Sequence, residues 1–186
     1  MSSLKMFLIR GSRILDQMNS LTESSTYRTL RDNLKFLTTK KRQLATDPVI
    51  IQSSTTVPLV SAKMLEVKSI AVSNGERYNV TIQFEGVQYE EVDTPQNVTF
   101  TGPDNEDYHI KHIELKRKNV KVRCDCLDFY HRFAAHNTRD KSLYGTPPPP
   151  YTPKTDRPSD NPRQVPGVCK HIIKTVESLK QSGLVH

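Results

Sequence analysis

"VRCDCLDFYHRF" at Val122–Phe133 and "PGVCKHII" at Pro166–Ile173 together hold all three cysteines of this 186-residue chain. Cys124 and Cys126 stand one residue apart, and Cys169 stands one residue from His171. An odd number of thiols cannot pair completely within the chain. Their grouping beside a histidine fits metal ligation in a reducing compartment better than a disulfide framework. The first pair ends a β-branched run, so i, i+2 spacing on a strand turns both sulfurs the same way. The second pair opens an apolar-periodic stretch, where a helix amino end favours thiolate over thiol. Three thiolates and one imidazole make a closed tetrahedral set, Cys124, Cys126, Cys169 and His171, and their softness selects structural zinc over magnesium or calcium. His131 and His136 are the alternative fourth ligands, on the segment that follows Cys126.

Upstream of Cys124 the chain reads as β from residue 63 to 123. "MLEVKSIAV" alternates Leu65, Val67 and Ser69 against Glu66, Lys68 and Ile70. "SNGER" predicts a tight hairpin at Asn74-Gly75, and "YNVTIQF" then places Tyr78, Val80, Ile82 and Phe84 on one face. "EGVQYEEV" predicts a short strand. Further strands follow, with turns at Gly102-Pro103 and Lys118-Asn119. Residues 47–62, "DPVIIQSSTTVP" and its continuation, read as an extended connector or edge strand. Residues 1–46 read as a helical arm, with Tyr27, Leu30, Leu34, Leu37 and Leu44 on one stripe.

Downstream, residues 124–186 form the zinc-binding region. A short helix is expected from about Asp128 to His136, with Leu127, Tyr130, Phe133 and Ala134 on its apolar side. The loop 145–167 carries eight of the chain's twelve prolines, which exclude helix and inner strand. Tyr144 and Tyr151 flank the proline run and are placed to pack on it. A terminal helix follows, with Ile172, Ile173, Val176 and Leu179 inward and Gly183 as its stop. The fold class is therefore α+β: a helical N-terminal arm, a small antiparallel β-sheet, and a zinc-tied C-terminal β-α element with a proline-rich insertion.

C-x-C followed by C-x-H resembles the SWIM-type zinc finger, a β-β-α module, with the ligands falling on Cys124, Cys126, Cys169 and His171. Residues 127–168 separate the two pairs, a longer gap than that family usually has. The wider segment from Lys121 to Leu179, with "LYGTPPPPY", "RPSDNP" and "VPGVCKH", is similar to C-terminal segments of structural proteins from tailed-phage virions. That resemblance implies a component of the neck, tail or capsid, made in the host cytoplasm and carried in the virion. Its partners would be other virion structural proteins in multiple copies. The SWIM resemblance allows a DNA-binding alternative.

Composition bears on both. Hydrophobic residues are 35% and aromatics 7%, with no tryptophan, so a metal or partner is expected to complete a lean core. The net charge of +7 suits an acidic partner, protein or nucleic acid. Lys111, Lys116, Arg117, Lys118, Lys121 and Arg123 form a basic cluster that either contacts phosphates or an acidic partner, or coats a solvated hairpin tip. Phosphate loops, nucleophile elbows and informative carboxylate pairs are missing from the sequence, so neither catalysis nor a small-molecule substrate is expected. No apolar run approaches membrane-spanning length, and no membrane partner is expected.

Overall fold

The computed structural model describes residues 48–113, 119–152, 161, 164 and 166–186. The expected helical arm lies outside the described residues, as do residues 114–118, which lead into the turn expected at Lys118-Asn119. The described chain is mixed α+β, with two antiparallel sheets where the sequence reading expects one.

The larger sheet contains β1 (Ile50–Leu59), β2 (Met64–Ser73), β3 (Glu76–Glu85) and β7 (Val120–Cys124), in the order β1-β2-β3-β7. A short 3-10 turn at Val60–Ala62 joins β1 to β2. The stretch read as a connector or edge strand is thus an edge strand, paired with β2 except for one irregularity between Ile51 and Ser53. Pro58 is tolerated there because an edge strand need not donate every backbone N–H. β2 and β3 form the hairpin expected at Asn74-Gly75, both of which take positive φ (54° and 77°). That is the geometry whose twist matches the flanking strands.

Alternation sets the buried face. Leu65, Val67 and Ala71 on β2, Val80, Ile82 and Phe84 on β3, and Val120, Val122 and Cys124 on β7 all point into the core. Register aligns Val80 with Cys124 and Ile82 with Val122. The cysteine therefore continues β7's apolar series, and the site begins where that series reaches the end of the strand.

The smaller sheet has the order β4-β6-β5, from β4 (Tyr89–Glu90), β5 (Asn97–Thr101) and β6 (Asp107–Lys111). It adjoins the larger sheet through backbone bonds such as Val87 N–H to Lys63 O (2.8 Å), and through the Tyr89 hydroxyl, which donates to Met64 O (2.6 Å). Val87 and Ile110 join the same apolar cluster as the main-sheet residues.

After Cys126 the chain forms α1 (Leu127–Phe129), a π turn (Tyr130–Ala134) and α2 (Ala135–Asp140). The expected helix is present, but its buried side differs. Leu127 is 70% exposed, whereas Phe129, Phe133 and Ala134 are buried. The π turn inserts residues into the helical repeat and rotates the faces before and after it, which a constant 3.6-residue period does not anticipate. α3 (Lys170–Gln181) buries Ile172, Ile173, Val176 and Leu179, as its spacing predicts, and packs across the larger sheet. Gly183 (φ 77°) turns the chain beyond its end. Leu184–His186 then run back beside Ile113, with Ile113 N–H donating to Leu184 O and His186 N–H to Ile113 O.

Candidate metal centre

Two supports bring the candidate ligands together. β7 delivers Cys124, and Cys126 follows one step beyond the strand. Asp125, between them, faces the other way. It donates its backbone N–H to Asn79 O (3.2 Å), and its carboxylate accepts from Asn79 N–H (3.0 Å) and Nδ2 (2.7 Å). This clip extends the β3–β7 pairing past its last ladder residue and fixes both sulfurs inward. On the opposite side, Cys169 is the N-cap of α3 and His171 lies in its first turn.

The four ligand atoms lie within 4.8 Å of one another, and all four residues are buried, none more than 4% exposed. His171 turns Nδ1 toward the sulfurs, 3.6 Å from Cys124 Sγ and 3.9 Å from Cys169 Sγ. Its Nε2 is buried without a partner among the described residues. Tyr78 of β3 stacks on the imidazole, with centroids 4.2 Å apart and planes 20° apart, and its ring covers the histidine. Within α3, the His171 backbone carbonyl also accepts from Thr175 Oγ1 (3.0 Å).

The thiols are electrostatically unequal in the absence of an ion. Cys126 is drawn far below the usual thiol range by hydrogen bonds from Cys124 and Cys169, with help from His171 and the Phe129 N–H. That N–H reaches its sulfur at 3.3 Å, so Cys126 caps α1 with its side chain. Cys124 is pushed up, first because it donates to Cys126. Cys169 is raised by burial and then by its two sulfur neighbours. The helix-end advantage expected for Cys169 thus falls to Cys126 instead, because Cys169 Sγ makes no cap hydrogen bond and is wholly desolvated. Beside the favoured Cys126, the neighbouring sulfurs and burial oppose ionisation of the other two. A divalent ion supplies the charge that would let the other two ionise. The group is therefore suited to bind a metal ion, and its four donors come from the protein.

His131 and His136 do not join the group. His131 is exposed and packs against Tyr151 (4.2 Å between centroids) and Tyr130 (5.0 Å). His136 is half-buried, and burial, then the nearby Arg139 charge, lowers its pKa.

The insertion between the ligand pairs is held down along its described part. Val122 N–H donates to Ser142 O and Tyr144 N–H to Val122 O, so residues 142–144 cover the outer edge of β7. Arg123 donates to the carbonyls of Tyr144 (2.9 Å) and Thr146 (2.7 Å), and Tyr130 to that of Pro149 (3.0 Å). Of the two flanking tyrosines, Tyr151 meets His131 and Tyr130, while the Tyr144 hydroxyl reaches across to Glu66 (2.9 Å).

Two asparagines with no sequence signal complete the closure. Asn137, fully buried, donates Nδ2 to Gly167 O (3.0 Å) and accepts Gly167 N–H on Oδ1 (2.8 Å). Asn161 donates to Arg132 O (2.9 Å), a carbonyl of the π turn. The first fixes the returning chain just ahead of Cys169, and the second anchors it at residue 161.

The basic cluster is dispersed in its described part. Lys111 pairs with Glu90 (3.3 Å), Lys121 with Glu85 (2.7 Å), and Arg123 holds the two carbonyls above. Lys116, Arg117 and Lys118 lie outside the described residues. Among those residues no helix is long and apolar enough to cross a membrane. The chain matches no known family model, no curated protein and no solved structure in comparisons with each.

Proposed function

We propose that this chain is a zinc-stabilised structural protein that assembles with other virion proteins of a tailed phage, through protein–protein contacts and without catalysis. The observation that carries the zinc-structural reading is the burial of a complete Cys3His set between a strand end and a helix start. Four protein donors leave no coordination position for water or substrate, which is the mark of a structural rather than a catalytic ion. A tetrahedral ion with bonds of about 2.3 Å to sulfur and about 2.05 Å to nitrogen would set those atoms about 3.6 Å apart. The separations of 3.6 and 3.9 Å accord with that spacing. Zinc would act here as core material, joining the sheet to α3 in a chain of lean apolar content, so that binding energy becomes folding energy.

The virion part of the proposal is supported by the resemblance of Lys121–Leu179 to phage structural proteins. In the described part of the basic cluster, Lys111, Lys121 and Arg123 have partners within the chain, which lessens the support for DNA contacts there. Mass spectrometry of purified particles of the phage that encodes the chain is the test. Stoichiometric copies in the particle are expected, and absence from the particle contradicts the assignment. DNA binding through several phosphates would instead appear as affinity for duplex that falls steeply as salt rises.

A further inference from the structure

A second convergence of donors lies outside the cysteine pairs, beyond the carboxyl end of α3. His112 lies just past β6, and His186 lies on the segment that returns after α3. His186 Nε2 stands 2.9 Å from His112 Nδ1, and the same Nδ1 stands 3.0 Å from the carbonyl oxygen of Gly183. The rings are 4.4 Å apart and tilted by 53°, so they meet through nitrogen and not face to face. Both histidines are exposed.

Two atoms with lone pairs, His186 Nε2 and Gly183 O, therefore lie within 3.0 Å of a third, His112 Nδ1, at the surface. Without a cation, a proton on His112 Nδ1 must hold them, shared toward Gly183 O and His186 Nε2. We propose that this is a second metal site, in which a late first-row divalent ion of nickel or copper type displaces that proton and binds both imidazoles, with the carbonyl as a weaker third ligand. Imidazole nitrogen suits these ions, and their tetragonal geometry sets ligands at right angles. Bonds of about 2.1 Å at right angles place neighbouring donors about 3.0 Å apart, whereas a tetrahedral ion needs about 3.4 Å. The observed 2.9 and 3.0 Å match the former. The supports are also fixed before any ion arrives, because His186 N–H donates to Ile113 O (3.0 Å) and Ile113 N–H to Leu184 O (3.2 Å). An ion here would fasten the segment after α3 to the end of β6. The remaining positions would stay open to water or to a donor from another molecule.

The test is calorimetric titration of the purified full chain with Ni2+ near neutral pH, with zinc content measured before and after. One equivalent of Ni2+ should bind while the cysteine site keeps its ion, and the thermal midpoint should rise. His112→Ala and His186→Ala should each weaken Ni2+ binding by about tenfold or more, and His131→Ala should leave it unchanged. Zinc content and circular dichroism identify any variant that misfolds, in which case His186→Gln serves in its place. Failure to bind Ni2+, equal binding in the His112 and His186 variants, or the ultraviolet absorption of thiolate-bound nickel would each overturn the proposal.

Discussion

Asn137 and Gly167 exchange two hydrogen bonds across the proline-rich insertion, at 2.8 and 3.0 Å, as a strand pair would. The contact lies two residues before Cys169, so the second half of the metal centre is positioned by a side-chain amide on α2. Asn137→Ala would leave both backbone groups of Gly167 buried without partners. We expect a loss of about 2–4 kcal/mol in stability, read from urea unfolding. Metal loss to a chelator should be faster than from the parent protein. Asn137→Asp, which would set a buried carboxylate oxygen against Gly167 O, should be at least as destabilised as Asn137→Ala.

Tyr78 covers His171 from the β3 side. Removing the ring admits water to an imidazole that is otherwise sealed. Tyr78→Ala should raise the rate of metal transfer to a chelator by about tenfold or more, whereas Tyr78→Phe should stay near the parent rate. Equal rates for the alanine and parent proteins would show that the stack does not guard the site.

Metal uptake should be strongly pH-dependent. Cys124 is pushed up by its bond to Cys126 and Cys169 by burial, while the same bonds draw Cys126 down. An ion binding to all three sulfurs must therefore displace the protons that the two raised thiols retain. Affinity should rise with pH and fall on acidification. Calorimetry in buffers of different ionisation enthalpy counts the protons. Release of none would contradict ligation by Cys124 and Cys169.

The β2–β3 hairpin gives a local test of the fold. Gly75 has positive φ and no atom within 4 Å of where a Cβ would stand, so only backbone strain opposes a side chain. Gly75→Ala should cost about 1 kcal/mol in urea unfolding, with no change in metal content.

Much of this architecture is legible in the residues themselves. Val120, Val122, Cys124 and Cys126 form one alternating series, so the strand, its inward face and two ligands follow from a single pattern. Asn74-Gly75 marks its hairpin, and the period of Ile172, Ile173, Val176 and Leu179 marks α3. The second sheet is harder to read because β4 is only the two residues Tyr89–Glu90, too short to display alternation. The π turn leaves no compositional trace, and it exchanges Leu127 for Phe129 on the buried side. Asn137, Asn161 and Tyr78 act across distances in sequence that no local spacing reveals.

The central claim is that one ion ties Cys124 and Cys126 to Cys169 and His171. Elemental analysis of protein purified without chelators measures this most directly, on the parent chain beside Cys169→Ser and His131→Ala. The account predicts one zinc per chain in the parent and in His131→Ala, and none retained in Cys169→Ser, whose α3 should also unfold more readily. A parent protein without a stoichiometric transition metal, or a Cys169→Ser protein that keeps its zinc, would contradict it.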